Sequence, residues 1–313
     1  MVTIVQSNEE YEIGTEMKKL LSADKIEYLA IQTFNRDKSS ILKWFNHINN
    51  KGKRQFANYI QDTDDEQDIL KGELKKAVEL DELSDVPEIE IKPKVVKVGN
   101  MTRLAISASF SEDFLKDDTN AETFNRTMEK LAASLLFVIK ERAFYKMVTH
   151  AKAPTVELID GEWVDGNDNI DDDLDNIIFA FENQDNWILT LNQLVSSRRA
   201  FKAMRKYYRT VNGSFNANDI LPDDGVVRKI EAIPQLEHGL IGIDLNDKPC
   251  ALFYNVDSRY NTYNKTKEQS FINVILDDTE MEGVHPHKYK VEMFVEFGFG
   301  ILNPYGLLFQ PDV

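Results

Sequence analysis

The 313-residue chain is 42% hydrophobic and 29% charged, the proportions of a globular protein. Its 53 acidic and 37 basic residues leave a net charge of −16, which excludes the overall basic footprint of a free nucleic-acid binder. The single cysteine, Cys250, excludes an internal disulfide and a multi-thiolate zinc site, and no apolar run reaches the ~18 residues that a membrane-spanning helix needs.

The opening MVTIVQSNEEYEIG lacks a basic stretch followed by an apolar one, so no secretory signal is expected. Residues 1–85 read as mostly helical: Met17, Leu20 and Leu21 recur at helical spacing, as do Ile41, Trp44, Phe45 and Ile48. Residues 61–68 are nearly all polar and acidic, which fits a solvated linker or the start of an exposed helix. Residues 88–110 switch to period two. Ile89 and Ile91 alternate with charged residues, Val96 and Val98 follow Pro93, and Gly99-Asn100 supplies a two-residue turn. Leu104, Ile106, Ala108 and Phe110 then alternate on a return strand, which predicts a long charged hairpin. Pro93 cannot donate to a ladder and places that hairpin at an edge or in a projection.

Thr119-x-x-Glu122 has the spacing of a capping box, and a long amphipathic helix is predicted from Asn120 to about Val148. Its stripe is Phe124, Met128, Leu131, Leu135 and Val138, widened by Ala132, Leu136 and Ile139. At ~1.5 Å per residue such a helix is about 43 Å long, enough to act as a structural axis. Trp187 to Leu191 reads as a short buried strand, followed by a helix from Asn192 to Tyr208. Gly213, Pro222 and Gly225 punctuate loops, and short strands are predicted at Gly239–Asp244 and Ala251–Tyr254. Lys290 to Gly300 alternates with high aromatic content, which predicts a strand. Pro304 interrupts it, and Tyr305 to Phe309 forms a last short strand.

No G-x-S-x-G, P-loop, H-E-x-x-H or G-x-G-x-x-G is present. Gly298-Phe299-Gly300 lies within a strand and marks a bend or bulge, and Cys250 reads as a small buried hydrophobe. His285 and His287 could share a face near Asp277, Asp278, Glu280 and Glu282, but two imidazoles without a third ligand read as an acidic loop entering a strand. Asp165, Asn167 and Asn169 match the first ligand positions of a calcium loop. Ile170 stands where glycine is needed and Asn176 where a bidentate Glu belongs, so the segment reads as a solvated loop. No metal, cofactor or catalytic residue is therefore expected.

The charge pattern is more informative. From Ala153 to Ser197 there is no Lys or Arg, and the acids include Asp171, Asp172, Asp173 and Asp175. From Arg198 to Arg209 the sign reverses, with Arg198, Arg199, Lys202, Arg205, Lys206 and Arg209. Three readings fit: an internally balanced surface, complementarity between neighbouring subunits, or a basic face toward nucleic acid.

Three stretches carry a family resemblance. Ile106-Ser-Ala-Ser-Phe-Ser-Glu-Asp-Phe-Leu-Lys-Asp-Asp118 resembles a strand leading to a polar segment before a spine helix. Trp187-Ile-Leu-Thr-Leu-Asn-Gln-Leu194 resembles the strand-to-helix transition of an axial domain. Val291 to Tyr305, ending Gly-Ile-Leu-Asn-Pro-Tyr, resembles a closing strand. In this order they are similar to the major capsid proteins of tailed phages and related archaeal viruses, over about residues 88–313.

The resemblance implies an α+β fold of the Hong Kong 97 type. Its parts would be an N-terminal arm or helical region (1–85), a projecting hairpin or E-loop (86–112), a peripheral domain with the spine helix (113–180), an axial α/β domain (181–284) and return strands of the peripheral domain (285–313). It implies a structural, non-enzymatic subunit of a virion capsid, assembled in the host cytoplasm into hexamers and pentamers around double-stranded DNA. Portal, scaffold and decoration proteins would be further partners, with no membrane. Lys92, Lys94, Lys97 and Arg103 of the hairpin join Arg198, Arg199, Arg205, Arg209, Asp171, Asp172 and Asp173 as candidate inter-subunit contacts. The alternatives are an encapsulin-like compartment of the same fold, and a metal-dependent hydrolase using His285 and His287.

Overall fold

The structure, a computed structural model, describes residues 15–36, 41–58, 97–159, 161–163, 169–184, 189–212, 226–255 except 227, 235 and 247, 272–279 and 288–311. Among them the chain runs α1 (Thr15–Leu20), α2 (Ala23–Arg36), β1 (Asn46–Asn49), β2 (Gln55–Asn58), β3 (Lys97–Asn100), β4 (Thr102–Ser111) and α3 (Glu112–Lys116). It continues through α4 (Ala121–His150), α5 (Ile170–Glu182), β5 (Gln193–Ser196), α6 (Arg198–Asn212), β6 (Lys229–Ala232) and β7 (Leu240–Ile243). It closes with β8 (Cys250–Asn255), β9 (Ile272–Thr279), β10 (Lys288–Ile301) and β11 (Leu307–Gln310).

β10 organises the larger sheet. It is 14 residues long, and one face is apolar, with Val291, Met293, Val295, Phe297 and Ile301 all entering the main core, while Phe294 is buried on the opposite face. β4 pairs antiparallel along one edge, in register from Lys288↔Ser111 to Phe297↔Thr102. β9 and β8 pair along the other, and β1 adds to β8 in parallel. The period-two residues Leu104, Ile106, Ala108 and Phe110 of β4 turn toward the same core, as their alternation predicts.

α4 crosses this apolar face. Its 30 residues span about 45 Å at ~1.5 Å per residue. The inward face is Phe124, Met128, Ala132, Leu135, Leu136, Ile139, Ala143 and Met147. The predicted stripe is thus rotated: Leu135 is buried, whereas Leu131 and Val138 sit half-buried on its flanks. Ala132, part of the predicted stripe, is fully buried, and Ala143 and Met147 extend the buried face beyond it. The capping box does not form. Thr119 donates to Asp117, Glu122 pairs with Arg126, and the N-cap Asn120 instead donates to the Phe114 carbonyl.

The smaller sheet, in the order β11-β7-β5-β6, separates two cores. Val195, Ile241, Ile243 and Leu307 face the main core, while Leu194, Leu240, Leu308 and Ile230 face a second core closed by α5 and α6. α5 packs with α6, β8 joins the larger sheet, and β11 joins the smaller one. α1 and α2 insert Met17, Ile26 and Ala30, all fully buried, into the main core, and Asp118 accepts from the backbone N–H groups of Glu16 and Met17 at the start of α1.

Several expectations are corrected. Ile41, Trp44, Phe45 and Ile48 are not one helix: a 3-10 turn at Ile41–Trp44 leads directly into β1. Gly99-Asn100 is not a turn but the end of β3, which pairs with β2, while β4 pairs with β10. Of the strand expected at 187–191, residues 187 and 188 lie outside the described residues and 189–191 are not strand; β5 follows at Gln193–Ser196, and the next helix begins at Arg198, where Ser197 caps it through a hydrogen bond from the Ala200 amide. The acidic stretch read as a solvated loop is, from Ile170 onward, the first turn of α5. Asp171, Asp172 and Asp173 there complement the helix dipole.

Candidate assembly surfaces

α6 presents its cations outward. Arg198, Arg199, Lys202, Arg205, Lys206 and Arg209 are all exposed, while Ala200, Ala203, Met204 and Tyr208 are buried against the second core. Part of this charge is answered within the chain. Arg199 lies 3.3 Å from Glu162. On the buried side of α6, the uncharged Tyr208 hydroxyl donates to Asp171 at 2.5 Å. Burial, reinforced by Asp171, pushes the Tyr208 phenol far above its ordinary range, so it remains a donor.

The acidic run divides by function. Asp173 is fully buried, accepting from the Ile159 amide at 2.8 Å and from the Trp163 indole at 3.0 Å. It is a structural anchor and is withdrawn as a contact residue, since its oxygens are committed inside the chain. Asp171 and Asp172 are exposed. The Asp175 carboxyl is raised from its ordinary value, first by burial and then by Asp171 and Asp172, with Arg228 opposing.

Of the hairpin candidates, Lys92 and Lys94 lie outside the described residues, and Lys97 opens β3. Arg103 sits on β4, 3.3 Å from Glu292 and stacked 3.9 Å above the Phe294 ring. Sequence reading missed Phe56. Its ring is buried on the face of the larger sheet opposite α4, stacked on Phe253 with centroids 4.3 Å apart. An open groove of ≈ 1090 Å³ beside it is lined by Lys53, Arg54, Met101, Arg103 and Glu296.

Cys250 is buried and free, its thiol pushed up by that burial, as expected of a small hydrophobe. His285 and His287 lie outside the described residues, as do Asp165 and Asn167, while Asn169 stands at the N-cap position of α5 without a side-chain cap hydrogen bond. Among the described residues no group of three or more His, Cys, Asp or Glu side chains could hold a metal, and no helix is long and apolar enough to cross a membrane.

No protein-family model matches the chain, and no curated protein matches it in sequence. Solved structures do match. A chain of the virus-like particle from Pyrococcus furiosus is 13% identical, with the match covering 91% of this chain and 97% of that one at a TM-score of 0.51. The protein has the fold of that particle's chain. A phage-related protein from Bordetella bronchiseptica RB50 is also similar, 12% identical over 91% of this chain and 96% of its own, with a TM-score of 0.53. The virus-like-particle fold is the α+β fold of the Hong Kong 97 type expected from the order of elements. At such identities few side chains are shared, so the likeness lies in topology.

Proposed function

We propose that the protein is a major capsid protein, a structural subunit that self-assembles into an icosahedral shell enclosing double-stranded DNA. One observation carries the reading: the likeness to the Pyrococcus furiosus particle spans 91% of this chain and 97% of that one, so it takes in a whole subunit. The geometry supports it. An elongated helix, a β2–β3 ribbon leading to residues 59–96, and a helix bearing six exposed cations offer wide surfaces for neighbours. Closed symmetry multiplies weak contacts, so each surface can be modest. Hexamers and pentamers are the capsomers of this reading, with portal, scaffold and decoration proteins as further partners in a host cytoplasm. Electron microscopy of the expressed full-length protein is expected to show shells or capsomers. A monomer at every salt concentration and pH, with any scaffold supplied, would overturn the reading. Shells that form in vivo around protein cargo instead of DNA would make it a compartment.

Electrostatics gives the second test. A charge of −16 per subunit repels its copies unless opposite charges meet locally. An exposed ion pair is worth only ~0–1 kcal/mol, so the six cations of α6 act through their sum. Reversing Arg198, Arg205 and Arg209 to Glu is expected to abolish assembly in dilute buffer and to restore part of it at high salt, where screening shortens the repulsion. Adding Asp171→Lys and Asp172→Lys is expected to rescue assembly if the partner is a neighbouring subunit. Intact shells lacking DNA would turn α6 toward the genome, and normal assembly in dilute buffer would make it an ordinary solvated face.

A further inference from the structure

The β2–β3 ribbon is joined to the body in an unusual way. Its two strands pair with each other, from Gln55↔Asn100 to Asn58↔Lys97, and neither pairs with the larger sheet. At its near end Asn255, in the last position of β8, accepts from the Gly52 amide at 2.9 Å and donates to the Lys53 carbonyl at 3.0 Å. Asn50 donates to the carbonyls of Lys53 and Gln55, and the Met101 amide donates to Arg54. These bonds all lie in the turn where the ribbon leaves the body, so they form a pivot. Among the described side chains beyond the pivot, the Phe56 ring is the one buried against the larger sheet.

That ring occupies a slot made by two glycines on different strands. A Cβ at Gly99 would lie 2.2 Å from it, and so would one at Gly298. Both distances are far inside van der Waals contact, so any side chain at either position displaces the ring. Gly99 belongs to the ribbon itself and Gly298 to β10, so the ring is clasped from the moving part and from the fixed part together. Phe253 supplies the floor by stacking, and only 6% of Phe56 remains exposed.

We propose that Phe56 is a latch. Seated between Gly99 and Gly298, it fixes the direction in which the ribbon leaves the body. Withdrawn, it frees the ribbon to swing about the Asn50 and Asn255 pivot without breaking any pair of the larger sheet. The latch follows from the geometry of the single subunit and does not rest on the capsid reading.

The test reads the subunit directly. Spin labels at Lys97→Cys on the ribbon and Ser134→Cys on the exposed side of α4, diluted with unlabelled protein, report one distance, because the fully buried Cys250 is out of reach of the reagent. The otherwise native protein is expected to give one narrow distribution. Phe56→Ala is expected to broaden and shift it, Gly298→Ala to do the same by closing the slot, and Phe56→Leu to give an intermediate width. A second pair, Ser134→Cys with Arg205→Cys, is expected to stay unchanged in every variant. Native-like 97–134 distances in Phe56→Ala or in Gly298→Ala would overturn the proposal. Broadening of the body pair would overturn it as well, by making Phe56 an ordinary core residue. None of these outcomes depends on whether the protein builds shells.

Discussion

Leu135→Asp is expected to unfold the protein. Leu135 is only 4% exposed at the middle of α4, within the core formed with β4 and β10. Truncating a buried leucine alone costs about 2–5 kcal/mol. An unpaired carboxylate in the same place adds a desolvation penalty of at least a few kcal/mol more. Their sum is comparable with the ~5–15 kcal/mol that holds a typical domain together. Soluble yield and the cooperative thermal transition followed by circular dichroism are both expected to be lost. Ala133→Asp, two residues away on the exposed side, is expected to stay within about 0.5 kcal/mol of the parent. A cooperative transition retained by Leu135→Asp would mean that α4 presents a different face to the sheet.

Glu182→Ala is expected to cost about 3 kcal/mol. Glu182 ends α5 and accepts from the Arg228 guanidinium at 2.8 Å and from the Leu191 amide at 2.9 Å. The Arg228 side chain is fully buried, whereas 24% of Glu182 reaches solvent. Removing the carboxylate therefore leaves a desolvated cation whose main partner has gone, and an amide without its acceptor. Breaking one side of a buried pair typically costs ~3–5 kcal/mol, and the solvent reaching Glu182 argues for the lower end. Replacing both partners, as Glu182→Leu with Arg228→Met, is expected to recover much of the loss, because no lone charge remains. Chemical denaturation of the single and double variants measures this, and a single variant within about 0.5 kcal/mol of the parent would show that the pair contributes little.

These residues show what could be read from the chain and what could not. α4 and β10 announce themselves because their periodicity persists over 30 and 14 residues, long enough to outweigh local exceptions. β1, β2 and β3 are four residues each, and a four-residue strand exists only by virtue of its partner. Gly99-Asn100 has the composition of a turn, yet pairing with Gln55 and Phe56, more than forty positions earlier, overrides it. α5 was hidden for another reason. Its first turn is acidic, which suggests a loop until Ile170, Leu174, Ile177, Ile178 and Phe181 are read as one buried face.

The same holds for the candidate surfaces. A block of six cations on α6 is legible because like charges without intervening acids rarely face a core. Nothing in the acidic run distinguishes Asp173 from Asp171 and Asp172, since what separates them is the position of the Trp163 indole. Phe56 gave no signal either. A glycine in a strand has many explanations, and the one that applies to Gly298 appears only when the ring opposite is in place.

The edge of β10 away from β4 carries one more consequence. Asn255, the last residue of β8, is opposite Glu296, and Ile272, the first of β9, is opposite Val295, its immediate neighbour. The six residues of β8 and the eight of β9 together match the fourteen of β10, so the ladder reads through as if residues 256–271 had been spliced into a finished strand. Because the two ends already meet, the length of whatever lies between them is nearly immaterial to the fold: doubling a closed loop costs only about 0.6 kcal/mol. Lineages could lengthen, shorten or exchange that stretch while every hydrogen-bonded pair beneath it stayed in place, and a grafted peptide or small domain would inherit the same tolerance.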